Sequence, residues 1–109
     1  MNEDDLRQLK EAGDTVEFEA GKVLTEHGKI GSGLFVLIDG RLVVEAPEGT
    51  RELDPGAVVG ERALLSADGL RTARVRALTD CVVVAVDRAD VDRLCADDPE
   101  FAERLAGLY

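Results

Sequence analysis

The chain has 109 residues, of which 45% are hydrophobic and 33% charged, enough for one domain with its own core and too few for two. Acidic residues outnumber basic ones 23 to 13, giving a formal net charge of −10, and no basic helix appears, which excludes a nucleic-acid surface built to displace counterions from phosphate. Net charge does not exclude a small anion held in a local basic pocket. The longest apolar runs, Leu34 to Ile38 and Cys81 to Val86, are strand length and far short of a bilayer span, and the polar start MNEDDLRQLK is no signal peptide, so a cytoplasmic location without membrane contact is expected.

In chain order, Asn2 followed by EDDLRQLK reads as a capped helix with acids in its first turn, Leu6 and Leu9 on its buried side and an end near Gly13. TVEFEA then alternates, placing Val16, Phe18 and Ala20 on one face. KVLT is short and extended, and LFVLID and RLVVEA are strands flanking Gly40. A hairpin turn is built on Pro47 and Gly49, and a second Pro-Gly turn lies in LDPGAVVG. ARVRA and CVVVAVD are two further strands. The period then changes: Asp87 is placed to cap RADVDRLCA, and Asp98-Pro99 opens a last helix. That helix is expected to run from Asp98 to Tyr109, about 18 Å at the usual rise, with Phe101, Leu105 and Leu108 as a core-facing stripe.

About eight short strands with Gly and Pro turns, flanked by helices, predict a mainly β domain, a jelly roll or barrel covering residues 1–109. Cys81 and Cys95 are expected to be two reduced, buried thiols. His27 is the sole histidine and no CxxC occurs, so neither a metal site nor the histidine cluster of a barrel metalloenzyme can be assembled. His27 reads as a surface turn residue. No nucleophile elbow or triad is present, so no enzymatic activity is expected.

The stretch VVGERALLSADGLRTARVRA, residues 58–77, has the one pattern that points to a ligand. A strand ends at Val59, Gly60 permits a sharp turn, and the helix formers after it would aim free amides at an anion. Arg71 adds a planar fork for two phosphate oxygens. Glu61, an acceptor-only group, suits a sugar hydroxyl. Together they describe a ribose phosphate. The spacing leaves another reading open, in which Glu61 is a plain helix N-terminal acid and Arg71 pairs with Glu61 or Asp68.

Gly60-Glu61-x-Ala63-Leu64-Leu65, then a loop and Arg71-Thr72-Ala73, resembles the phosphate-binding cassette of the cyclic nucleotide-binding domain family. LTEHGKIGSGLFVLIDGRLVV is similar to the family's earlier glycine pattern through Gly28, Gly31, Leu34, Phe35 and Gly40, and the likeness runs from about residue 13 to residue 105. The resemblance implies a double-stranded β-helix with a short phosphate-binding helix and carboxy-terminal helices. It implies a non-catalytic sensor for cyclic AMP or cyclic GMP, relayed by movement of those helices, with no further cofactor. On this likeness Glu61 accepts from the ribose 2′-hydroxyl beside the Gly60 backbone. The Ala63 amide and Arg71 hold the cyclic phosphate, Val59 and Leu64 line the pocket, and Val75 lies in the barrel behind it. Thr72 leaves the choice of base open, and Tyr109 is a candidate to stack on a purine. Arg62, often apolar in the family, reads as a solvent-facing side chain, and the loop before Arg71 lacks the Pro of many members. The output is expected to pass to a protein partner or to an effector region outside this chain. The alternative is a degenerate barrel serving as an interaction scaffold; a buried Arg71 without its anion would be costly, which counts against it.

Overall fold

Two four-stranded antiparallel sheets lie against each other, and three helices cover the outer face of one of them. The computed structural model describes residues 2–26, 33–60 and 73–106. In chain order the elements are α1 (Glu3–Ala12), β1 (Asp14–Phe18), β2 (Val23–Thr25), β3 (Gly33–Asp39), β4 (Leu42–Ala46), β5 (Gly49–Leu53), β6 (Val58–Val59), β7 (Arg74–Ala77), β8 (Cys81–Asp87), α2 (Arg88–Asp97) and α3 (Pro99–Ala106). One sheet has the order β1-β8-β3-β6 and the other β2-β7-β4-β5. The expected mainly β architecture is present, as two open sheets: among the described residues no ladder joins one sheet to the other.

The register explains why β3 and β8 are apolar almost throughout. Leu34 pairs with Val86, Val36 with Val84 and Leu37 with Val83, and both faces of these central strands are covered. Leu34, Val36, Val84 and Val86 face the helices, where they meet Leu9 of α1, Val91 of α2, and Phe101 and Leu105 of α3. Leu37, Val59, Cys81 and Val83 face the other way, onto Leu42, Val75 and Ala77 of the second sheet. Each such side chain taken fully out of water contributes roughly 1.5–3 kcal/mol. The expected stripe on the last helix thus holds at Phe101 and Leu105, both fully buried; Leu108 and Tyr109 lie outside the described residues.

Local signals set the boundaries. The Asn2 side chain accepts from the Asp5 amide while the Asp5 carboxylate accepts from the Asn2 amide, a reciprocal cap that starts α1. Pro47 and Glu48 turn between β4 and β5, with Ala46 opposite Gly49. Three expectations need correction. On β1 Phe18 turns inward, edge-on to Phe35 at 6.4 Å between ring centres, but Val16 is 36% exposed and Ala20 lies outside the strand, also exposed. The cause is the position of β1 at the sheet edge, where among the described residues it pairs with β8 alone. Asp87 occupies the extended N-cap position of α2, yet its side chain makes no capping hydrogen bond. Both cysteines are free thiols; Cys81 is buried, while Cys95 is only partly so. Burial raises the Cys95 pKa, with the charge of Asp92 adding to it.

Candidate ligand-binding site

The ligand-like pattern starts in β6 and ends in β7, the two elements of it that the structure describes. Val58 and Val59 pair with Val36 and Phe35 on the edge of the helix-covered sheet. Val59 is 4% exposed and packs between the sheets. Gly60 follows with φ +93°, a left-handed conformation that a side chain disfavours, and this residue turns the chain out of the strand as its sequence context predicts. Val75, expected in the interior behind the site, is likewise 4% exposed and in the same inter-sheet cluster.

Where the chain returns, β7 is tied to the end of β2. The Thr25 hydroxyl donates to the Ala73 carbonyl oxygen at 3.3 Å, and Arg74 Nε donates to Glu26 Oε2 at 2.8 Å. The hydrogen bond and charge of Glu26 hold the Arg74 guanidinium above its ordinary pKa. One register step along, Arg76 Nε meets Glu45 Oε1 of β4 at 3.2 Å. Arg74 is therefore committed to a carboxylate just beyond β2, and Arg76 to one on β4. Sequence reasoning did not single out Thr25, Glu26 or Arg74; the spacing of Arg74 and Arg76 on alternate positions of ARVRA marks one outward face, but their acidic partners come from strands far away in sequence.

Of the expected site residues, Val59 and Gly60 fall in the described structure. Glu61, Ala63, Leu64, Arg71 and Thr72 lie outside the described residues, as do Arg62, Asp68 and His27 and the expected short phosphate-binding helix. Among the described residues no group of three or more His, Cys, Asp or Glu side chains is placed to hold a metal ion, and no helix is long and apolar enough to cross a membrane.

Two facing four-stranded antiparallel sheets with a positive-φ glycine at the end of β6 frame the site. Residues 15–98 match the cyclic nucleotide-binding domain model, and the chain belongs to that family. It is 35% identical over 86 residues to a cyclic nucleotide-gated potassium channel of Rhizobium etli, a match covering 79% of this chain and 24% of the channel. A solved structure from work on a cyclic-GMP-dependent signalling pathway in bacterial phytopathogenesis superposes with a TM-score of 0.86 at 28% identity, covering 97% of this chain and 88% of the other. The catabolite activator protein of Thermus thermophilus gives a TM-score of 0.81 at 25% identity, covering 99% of this chain and 53% of the other. The chain spans about a quarter of the length of the channels it matches.

Proposed function

We propose that the chain is a non-catalytic sensor that binds a cyclic purine nucleotide, cyclic AMP or cyclic GMP, between β6 and β7 and passes the event to its carboxy-terminal helices. The observation that carries the reading is Gly60. It ends β6 in a left-handed turn beside the buried Val59, at the point where the sequence continues Glu61-x-Ala63-Leu64 and returns through Arg71-Thr72. In this reading the Ala63 amide and the Arg71 fork take the cyclic phosphate. Glu61 accepts from the ribose 2′-hydroxyl, Leu64 and Val59 supply apolar wall, and Thr72 stands near the base. The relay is a population shift: a ligand moves the helices only by binding one arrangement more tightly than the other. The receiving element is a protein partner or an effector region beyond this chain, as the channel and activator relatives suggest by their names.

The test is a thermal titration with cyclic AMP and cyclic GMP in parallel. Binding to the folded state raises the unfolding midpoint by mass action. Arg71→Ala is expected to abolish the rise and Glu61→Gln to reduce it. A midpoint that stays put at millimolar nucleotide defeats the sensor reading and leaves the sandwich as a protein-docking scaffold. A full response in Arg71→Ala removes the phosphate assignment.

A further inference from the structure

We propose that Asp5 and Arg104 form an ionic latch that fixes the seating of the last helix, α3, against the first, α1. The two residues are 99 positions apart, yet Arg104 Nε donates to Asp5 Oδ2 at 2.6 Å and a terminal guanidinium nitrogen donates to Asp5 Oδ1 at 2.8 Å. That is a two-pronged fork on one carboxylate, a geometry that fixes orientation as well as distance. Asp5 is 1% exposed, while the Arg104 side chain keeps 32% of its surface in solvent. The carboxylate is thus the fixed receptor and the guanidinium the plug that reaches it from outside.

The same guanidinium also holds the corner from which α3 departs. Asp98 is the sole non-helical residue between α2 and α3, with an extended backbone. One of its carboxylate oxygens accepts from the Glu100 amide at 3.1 Å, and the other accepts from Arg104 at 3.1 Å. Glu100 stands 3.8 Å from the third guanidinium nitrogen. Arg104 therefore ties α3 to α1 and to its own hinge at once. The fourth contact of the cluster is the Asn2 amide, which donates to Asp5 at 3.2 Å, so the receptor is itself pinned by the cap of α1.

A buried ion pair adds little net stability over an apolar pair of the same size, because taking both charges out of water offsets most of their attraction. Phe101 and Leu105 already bury the apolar side of α3. What the fork adds is selection of one arrangement. If α3 shifts by even part of a turn, Asp5 loses its cation and keeps only the Asn2 amide, so intermediate positions are penalised and the helix is either latched or well clear.

The experiment is amide hydrogen exchange on the chain without nucleotide, so its outcome is independent of whether the proposed ligand binds. Asp5→Asn retains an oxygen for the Asn2 amide and loses the charge; Arg104→Gln approaches from the partly exposed side and disturbs the core least. Both are expected to speed exchange in α3 by about tenfold or more, while β3 and β8, which open only on global unfolding, speed up by no more than the loss of global stability read in urea. Arg104→Lys, which keeps the charge and loses the fork, is expected to fall between. Unchanged exchange in α3, a larger rise in β3 and β8 than in α3, or failure of both variants to fold overturns the latch.

Discussion

At Gly40 the chain turns between β3 and β4 with φ +91°, and a Cβ built there would sit 2.4 Å from the Asp80 carbonyl oxygen and 2.9 Å from Cys81 Sγ. The first neighbour is backbone and cannot give way. Gly40→Ala therefore combines a disfavoured dihedral with a clash, and a loss of roughly 3 kcal/mol in urea unfolding is expected; a loss below about 1 kcal/mol would show that the turn can relax. Asp5 supplies a second prediction at the same scale. The Arg104 hydrogen bond holds its carboxyl below the ordinary value of 3.8 against the opposing effect of burial, with help from the Asn2 amide. A depressed folded-state value means that the contribution to stability is present above about pH 4 and is lost as pH falls through the folded-state value below 3.8. Asp5→Asn leaves Arg104 partly exposed and still on Asp98, so it is expected to cost about 1.5 kcal/mol at pH 7, and the gap between the two proteins should shrink below pH 3.8. A gap that persists unchanged to pH 2 would assign the cost to packing.

The helices show what a cap contributes when its bond is made and when it is not. Asn2 both accepts and is accepted from in α1, whereas Asp87 occupies the same kind of position in α2 without a side-chain bond. Asn2→Ala should cost about 1 kcal/mol and Asp87→Ala less than about 0.5 kcal/mol by chemical denaturation. Equal costs would mean that the dipole interaction outweighs the hydrogen bond. The contrast also marks where sequence reading works. Asn2 with acids in the next turn, the apolar run from Leu34 to Ile38 and the Pro47–Gly49 turn are local patterns, and each yields the expected element. Whether an Asp at a cap position turns toward the amides depends on rotamer and surroundings, which sequence does not carry. Val16 is exposed where alternation places it inside, because alternation specifies two faces but not whether a strand lies at the edge. Asp5 and Arg104 have no signature at all, since each looks like an ordinary charge on an amphipathic helix. At the candidate site, Gly60 makes the turn its sequence context predicts, because a glycine after a β-branched pair has a local conformational meaning. The roles of Glu61 and Arg71 depend on a ligand, and only chemistry plus family likeness points to them.

For the whole molecule, a net charge of −10 sets self-repulsion against a scatter of exposed ion pairs such as Arg41–Asp54 and Arg74–Glu26. Exposed pairs contribute about 0–1 kcal/mol each and are screened by the same salt that relieves the repulsion. With an excess of ten negative charges the repulsion dominates, so raising the salt from about 0.02 M to about 0.2 M, which brings the screening length below about 10 Å, should raise the unfolding midpoint by a few degrees. A fall would show that the ion pairs win. Salt must then be held constant when nucleotide is added, because both perturb the same midpoint. At a free ligand concentration of about 100 times Kd the folded state gains roughly 2.7 kcal/mol. For a domain near this size that is a rise on the order of 10 °C, well beyond the salt effect. An anionic ligand meets an unfavourable field from the chain as a whole and needs a local cation to hold it, which is why Arg71→Ala should return the midpoint with nucleotide to within about 1 °C of the midpoint without it. A control with Arg74→Ala separates the local charge from charge in general: Arg74 is occupied by Glu26 at 2.8 Å, and its removal should leave most of the nucleotide-induced rise in place. Equal loss in the two variants would mean that bulk electrostatics, and not a fork on phosphate, governs binding.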